Sequence, residues 1–294
     1  MTVMKIEHLS NPTEFISRAG YMLTSNEARW GLIYGIAKRL VDNPHAYGNP
    51  DPWFLVVSDD KGLCALAMRT PPFKVLLAHF SGDLASVTRV LTDSISQLSD
   101  TIPGIVGDIE IADRFMEHWF VKHKIIIEGR MAQRVYRLQK INPVKLSSGK
   151  LRLATTSDKK LLTKWAHSFH EDVFSSVGPN TPEDDINRKI DKREVYLWED
   201  GVPVSMAAKT RPTENGITIN FVYTPPELRR KGYATSCIAM LSRELLRTGY
   251  KFCMVYTDLS NPTSNSIYRK TGFEEVCDSV EYTFSALGYP NLCY

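Results

Sequence analysis

Apolar and polar positions along the chain follow two alternating rhythms, one with the period of a helix and one with the period of a strand. Residues 11–44 read as helical, most clearly in NEARWGLIYGIAKRLVDN, and Asn43-Pro44 is the stop. The next segment, WFLVVSDDKGLCALAMRT, has apolar runs on both sides of the polar turn Asp59-Asp60-Lys61-Gly62 and predicts a hairpin. Phe73 to Phe80 reads as a further strand. Leu84, Val87, Val90, Leu91 and Ile95 stand at helical spacing in DLASVTRVLTDSISQLSD, and a second helix, IEIADRFMEHWFVKH, follows Gly107-Asp108. KIIIEGRMAQRVYRLQKI reads as paired strands with Gly129 between them.

Residues 142–150, NPVKLSSGK, are polar and rich in turn formers, which makes them the candidate boundary between domains at 1–141 and 150–294. Beyond it the pattern restarts. LRLATTSD predicts a strand and a helix cap, DKKLLTKWAHSFHEDVF a helix, and VYLWEDGVPVSMAAKT a hairpin turning at Glu199-Asp200-Gly201. ITINFVYT predicts a strand with Ile217, Ile219 and Phe221 as its apolar positions. YATSCIAMLSRELLRTG sets Ala234, Ile238, Leu241 and Leu245 on one helix face and stops at Gly249. FCMVYTDL reads as an apolar strand, NPTSNSIYRKTG as a short helix and EEVCDSVEYTF as a closing strand. WFLVVSDDKGLCALAM parallels VYLWEDGVPVSMAAK in pattern, so a duplicated α/β (α+β) fold is expected.

Composition narrows the class. The 294 residues are 43% hydrophobic and 23% charged, as in soluble globular proteins. A net charge of +3 is too mild to argue for nucleic acid as a partner. Cys64, Cys237, Cys253, Cys277 and Cys293 are odd in number and irregular in spacing, which argues against a disulfide framework or a zinc site and for a reducing compartment. MTVMKIEHLSNPTEF lacks the apolar centre of a signal peptide, and no apolar run approaches the roughly 20 residues that span a bilayer. The expectation is a cytoplasmic protein with no membrane and no metal.

The stretch PPELRRKGYAT, residues 225–235, carries the chemistry. Pro225 and Pro226 end the strand, because proline cannot donate to a ladder. Gly232 allows a backbone conformation closed to other residues, and the helix begins near Tyr233 with no Ser, Asp or Asn to cap it. Arg229, Arg230 and Lys231 crowd this end, although the positive pole of the helix dipole already lies there. Free amides, the dipole and nearby cations together make a phosphate site.

VYTPPELRRKGYAT resembles the acetyl-coenzyme A signature of the GNAT superfamily of N-acetyltransferases, with Arg229, Gly232 and Ala234 filling its pattern. DLSNPTSNSIYRKTGF resembles the segment that follows in that family, through Asn261, Ser264, Tyr268 and Gly272-Phe273. Both pieces occur in order with a helix and a strand between them, the context a motif needs. The resemblance covers about residues 150–287. It implies a mixed, mostly antiparallel central sheet flanked by helices, and with the duplicated pattern it implies two tandem GNAT-like domains. It also implies that amides of Arg230, Lys231, Gly232, Tyr233, Ala234 and Thr235 hold the pyrophosphate of acetyl-CoA. Val222, Tyr223 and Thr224 would line the pantetheine arm, with Val222 and Thr224 bonding it through their backbones. Asn261 and Ser264 would touch the cofactor, and Tyr268 would donate to the departing thiolate.

Each of these residues has a plainer reading. Asn261-Pro262 is a fitting helix start, Tyr268 a core aromatic, and Arg229 and Arg230 solvated surface charges. ITINFVYT carries no carboxylate to act as a base; Asn220 and Tyr223 hold its polar positions. His167, His170 and Glu171 are candidates elsewhere, although a polar helix surface also accounts for the two histidines. In the first half TIPGIVGDIEIADRF occupies the corresponding turn, with Gly104 and Gly107 but no preceding Arg or Gln. Asp108 would cap that helix itself, and Glu110 and Asp113 would repel a pyrophosphate, so no CoA site is expected in residues 1–141. The resulting expectation is transfer of an acetyl group by direct attack of a primary amine, on a small molecule or a protein. The alternatives are a non-catalytic acyl-CoA sensor or scaffold, and transfer of a longer acyl chain. The acceptor and the oligomeric state stay open.

Overall fold

The computed structural model describes residues 3–99, 101–173 and 181–286; Cys293 and Phe174, the last residue of one predicted helix, lie outside them. Contacts divide the chain into two units, residues 1–134 with 277–294, and residues 135–276. The polar segment 142–149 thus lies inside the second unit, and the closing strand contributes to the first.

The first unit runs β1 (Lys5–Leu9), α1 (Pro12–Ser25), α2 (Gly31–Asp42), β2 (Trp53–Asp59), β3 (Gly62–Arg69), β4 (Val75–His79), α3 (Leu84–Leu98), β5 (Gly104–Asp108) and α4 (Ile109–Lys122). The start of β6 (Ile125–Leu138) and most of β12 (Glu274–Ala286) complete it. β1 to β4 are antiparallel neighbours, β4 and β5 are parallel, and β12 runs antiparallel beside β5. Phe54 and Val56 of β2 pack under α1 and α2, while Leu55 and Val57 pack under α3 and α4. Helices on both faces explain why this strand reads as a continuous apolar run.

The second unit holds the rest of β6, then β7 (Lys150–Leu153), α5 (Lys159–Val173), α6 (Pro182–Asp191), β8 (Val195–Asp200), β9 (Val202–Thr210), β10 (Gly216–Tyr223), α7 (Tyr233–Arg247), β11 (Phe252–Asp258) and α8 (Pro262–Thr271). Its strand order is β6-β11-β10-β9-β8-β7, antiparallel from β10 through β9 and β8 to β7 and parallel between β10 and β11. Ile217 and Ile219 of β10 pack with Ile238, Leu241 and Leu245 of α7. Phe221 and Tyr223 of the same strand pack with Trp165 of α5 and Ile186 of α6 on the opposite face.

Four local readings change. The helical stretch 11–44 breaks into two helices at residues 26–30, where α1 is closed by Asn26 and α2 opens at Trp30. The paired strands expected around Gly129 are one continuous strand, β6. β1 and α6 were not visible in the pattern; α6 is mostly polar, PEDDINRKID, and it buries Pro182 at its start and a stripe of Ile186, Lys189 and Ile190. Asp108 does not cap α4. Its carboxylate turns to Arg29 at 2.6 Å, and burial raises its pKa against that cation's pull. Among the described residues no helix is long and apolar enough to cross a membrane.

The entry to α5 is fixed by charge. Thr155 and Asp158 form a capping box, and Arg152 donates two hydrogen bonds to the Asp158 carboxylate at 2.8 Å each and a third to Glu199. The Arg152 guanidinium holds the Asp158 pKa down to about 2. A depressed carboxylate pKa contributes stability above the ordinary carboxylate range and loses it as pH falls through about 2. Asp158→Asn is therefore expected to lower Tm at pH 7 while leaving a shallower loss of Tm between about pH 4 and pH 2, measured by thermal melts across that range.

Candidate cofactor-binding site

A register shift in β10 builds the site. Thr218, Ile219 and Asn220 pair with Thr210, Lys209 and Ala208 of β9, but Tyr223 then pairs with Met206, so β10 carries one extra residue. Phe221 takes a positive φ of 52° in this bulge. On the other side β10 pairs with β11 only over Gly216–Thr218 and Phe252–Met254, and then the strands part. The outer end of β10, with Val222, is left outside that ladder.

The turn after β10 aims a helix end at the gap. Pro226–Leu228 forms one 3-10 turn, Arg230 takes a φ of 64°, and Gly232 takes a φ of 82° as the N-cap of α7. The helix start has no side-chain cap and no acid in its first turn. Its first amides therefore lack a side-chain acceptor. A Cβ placed on Gly232 would meet nothing nearer than Ser147 Cβ at 4.0 Å, so the space in front of the helix is open.

The three cations divide. Arg229 donates to the Thr224 carbonyl at 3.0 Å and to Asp172 of α5 at 2.6 Å, with its guanidinium 5.9 Å from the centre of the Tyr223 ring. It braces the turn. Arg230 and Lys231 are exposed and make no ion pair among the described residues. Tyr233 is half-buried and donates its hydroxyl to Asp200 at 2.9 Å, Ala234 is half-buried, and Thr235 is buried. Tyr223 is buried, its carbonyl accepting from Ser205 at 3.0 Å.

α8 supplies the second wall. Asn261 caps it, its Oδ1 accepting from the Ser264 amide at 3.0 Å, so the cap reading of this residue holds. Asn265, which the sequence did not single out, does more. Its Nδ2 donates to the carbonyls of Asp258 and Asn261 at 2.9 and 2.7 Å, and its Oδ1 accepts from Tyr136 at 3.2 Å, tying α8 to the end of β11. A groove of about 380 Å³ runs between the two helices, lined by Thr235, Pro262, Thr263, Ser266, Ile267 and Lys270. Tyr268 is buried beside Tyr136 and Phe273, with ring centres 6.1 and 5.5 Å away. Its hydroxyl makes no hydrogen bond among the described residues, and burial pushes its pKa up.

Of the candidate bases, His167 and Glu171 are exposed. His170 lies 6.0 Å from the Phe221 ring, and burial lowers its pKa.

Residues 200–283 match the family model of FR47-like proteins, a span that contains the turn, both helices and Tyr268. No curated protein matches the chain in sequence. Among solved structures, a Drosophila protein is similar at 13% identity and a TM-score of 0.68, over 95% of this chain and 98% of that one. A GCN5-related N-acetyltransferase from Sphaerobacter thermophilus is similar at 14% identity and a TM-score of 0.62, over 96% and 95%. A tandem GNAT protein from the clavulanic acid biosynthesis pathway, solved without AcCoA, is similar at 8% identity and a TM-score of 0.51, over 98% and 100%. The architecture is that of the GNAT acetyltransferases, in two GNAT-like domains.

Proposed function

We propose that this GNAT-fold chain transfers an acetyl group from acetyl-CoA to a primary amine. The observation that carries the reading is the uncapped start of α7, open in front of Gly232 and joined by a groove to α8. Amides from Arg230 to Thr235 would hold the pyrophosphate there, with Arg230 and Lys231 adding charge. The end of β10, outside the ladder on its β11 side, would offer Val222 and Thr224 backbone groups to the pantetheine arm; the Arg229 bond to the Thr224 carbonyl leaves the Thr224 amide and one carbonyl lone pair for this. Ser264 and Asn261 would meet the cofactor at the α8 end. Since Asn261 Oδ1 is engaged in the cap, its contact would come from Nδ2.

Bound acetyl-CoA supplies a thioester whose carbonyl carbon accepts the amine. The amide near Val222 acts as an oxyanion donor, and the amine loses one proton as its new C–N bond forms and the C–S bond breaks. Tyr268 holds its proton across the neutral range. A phenol near or above pKa 10 does not hand its proton fully to a thiolate whose acid lies near about 8.5. Its part is a hydrogen bond to the sulfur as charge develops there, and the proton released by the amine completes the thiol.

In the first unit the counterpart of this turn follows β4. Asp83 caps α3 there, its carboxylate accepting from the amide and hydroxyl of Ser86 at 2.8 and 2.7 Å, bonds that lower its pKa. A helix end occupied by a carboxylate has no place for a pyrophosphate, which supports a first unit without a CoA site. Calorimetry with CoA is expected to give one site per chain; two sites, or none, sinks this part of the reading. The alternative, a non-catalytic acyl-CoA sensor, draws on the lack of a carboxylate along β10. Thiol release from acetyl-CoA over a panel of amines separates the two, since a sensor binds without release on any of them.

A further inference from the structure

The face of β10 turned away from α7 carries groups that holding acetyl-CoA does not use. The bulge places Phe221 on the side of α5 and α6, where three side chains surround it. Phe169 stacks at 5.0 Å, His170 lies at 6.0 Å, and the Lys189 Nζ stands 5.6 Å from the ring centre. Lys189 is the unusual member. It is 6% exposed, on a helix stripe shared with Ile186 and Ile190. A buried ammonium is costly unless closely paired. Its carboxylate neighbour, Glu194, is at 3.4 Å, long for a charged hydrogen bond. Arg211 and Arg188 add like charge, and Arg188 is itself engaged with Asp185 at 2.5 Å. Burial first, and then these cations, lower the Lys189 pKa to about 8 against the pull of Glu194.

A second observation lies on the same strand. Ile217 and Ile219 face α7, so strand alternation turns Thr218 and Asn220 to the face of Phe221. Thr218 is 1% exposed. Its Oγ1 and the Asn220 Oδ1 are buried with no hydrogen-bond partner among the described residues. Buried polar atoms are normally bonded, so an under-paired cation on the same face of β10 as two unbonded oxygens calls for a polar guest. The oxygens suit the N–H groups of an amine, and the ammonium suits an anion.

We infer that the acceptor binds on this face and is an amine that also carries a carboxylate, which Lys189 holds. The inference rests on the acetyl-transfer reading above and deepens it by naming the acceptor class.

The test uses the full chain, acetyl-CoA and a panel of amino acids, each paired with its own carboxamide. The best acid is expected to exceed its amide at least tenfold in kcat/KM, with the difference in KM. Lys189→Met is expected to bring that ratio close to one, and Lys189→Arg to restore part of it. A readout free of turnover follows the Lys189 Nζ by NMR titration. N-acetylated amino acids are expected to raise its pKa from about 8 by a unit or more, and their amides to leave it. Acid binding weakens as pH rises through the lysine pKa, with His170, Asp185, Arg188, Glu194 and Arg211 as the other charged or titratable groups around it. Acids and amides used equally, a preference that survives Lys189→Met, or no titration shift with any N-acetylated amino acid overturns the inference. CoA calorimetry on the same samples separates the two readings. Lost CoA binding defeats acetyl transfer, whereas intact CoA binding without the carboxylate preference defeats only the acceptor class.

Discussion

Tyr268→Phe is expected to lower kcat roughly a hundredfold while leaving CoA affinity within about twofold, since removing one donor to transition-state charge costs on that order. The reasoning starts from packing. Tyr268 sits on the inner face of α8 against Tyr136 and Phe273, and phenylalanine fills the same volume, so the ring contacts survive. What is lost is one hydroxyl that has no hydrogen-bond partner among the described residues. Since it supports nothing else, its removal leaves no other protein group unbonded. A change confined to kcat means that the hydroxyl acts when charge appears on the leaving sulfur, and not when the cofactor binds. Steady-state kinetics beside CoA calorimetry reads both quantities. Unchanged kcat would reduce Tyr268 to a core aromatic, the plainer of its two readings.

How far the sequence reaches can be judged from particular residues. The turn at 225–232 was legible because each of its residues has a strong local rule: proline ends a strand, glycine takes a positive φ, and the missing cap is visible by inspection. The hairpins at 53–69 and 195–210 and the helices α3, α7 and α8 were legible through their apolar spacing. The bulge was not. Ile217, Ile219 and Phe221 read as one apolar face, yet the extra residue sends Phe221 to the opposite side, and nothing in the alternation announces it. α6 stayed hidden because a mostly charged helix needs only a narrow stripe to dock, and one position of that stripe is a lysine. In the first half the missed strand β5 shifted the match between the halves, so Asp108 was assigned the capping role that Asp83 fills. Asn265 left no signal, since an asparagine inside a helix gains its role only when the end of β11 lies beside it. Arg229 was placed correctly in the chain and differently in chemistry: its charge braces the turn against Asp172 and the Thr224 carbonyl.

The open helix end yields the other large effect. Gly232→Asp is expected to weaken CoA binding at least a hundredfold, and Gly232→Asn only a few fold. The two variants share shape and backbone demand and differ in one charge. Space is available, because an added Cβ meets only Ser147 Cβ at 4.0 Å. Both residues must adopt the φ of 82° that glycine holds at no cost, at about 1–2 kcal/mol. Asp and Asn tolerate that region better than other residues, so Tm should fall by only about 2–4 °C per kcal/mol in a chain of this size. The carboxylate would sit at the positive end of α7, where the dipole favours it by about 0.3–1 kcal/mol. It would take the place proposed for a pyrophosphate and repel one held nearby. At about 4 Å in partly screened surroundings, like charges oppose each other by up to about 4 kcal/mol. A hundredfold loss needs about 2.7 kcal/mol, inside that limit. The aspartate variant would reproduce at α7 what Asp83 does at α3, where a carboxylate already fills the end of the helix. Calorimetry at two salt concentrations gives the decision. The aspartate penalty should shrink as salt rises, while the asparagine penalty, being conformational, should stay constant. Wild-type CoA affinity in the aspartate variant would mean that the pyrophosphate rests elsewhere, and the proposed acetyl-transfer site would have to be moved with it.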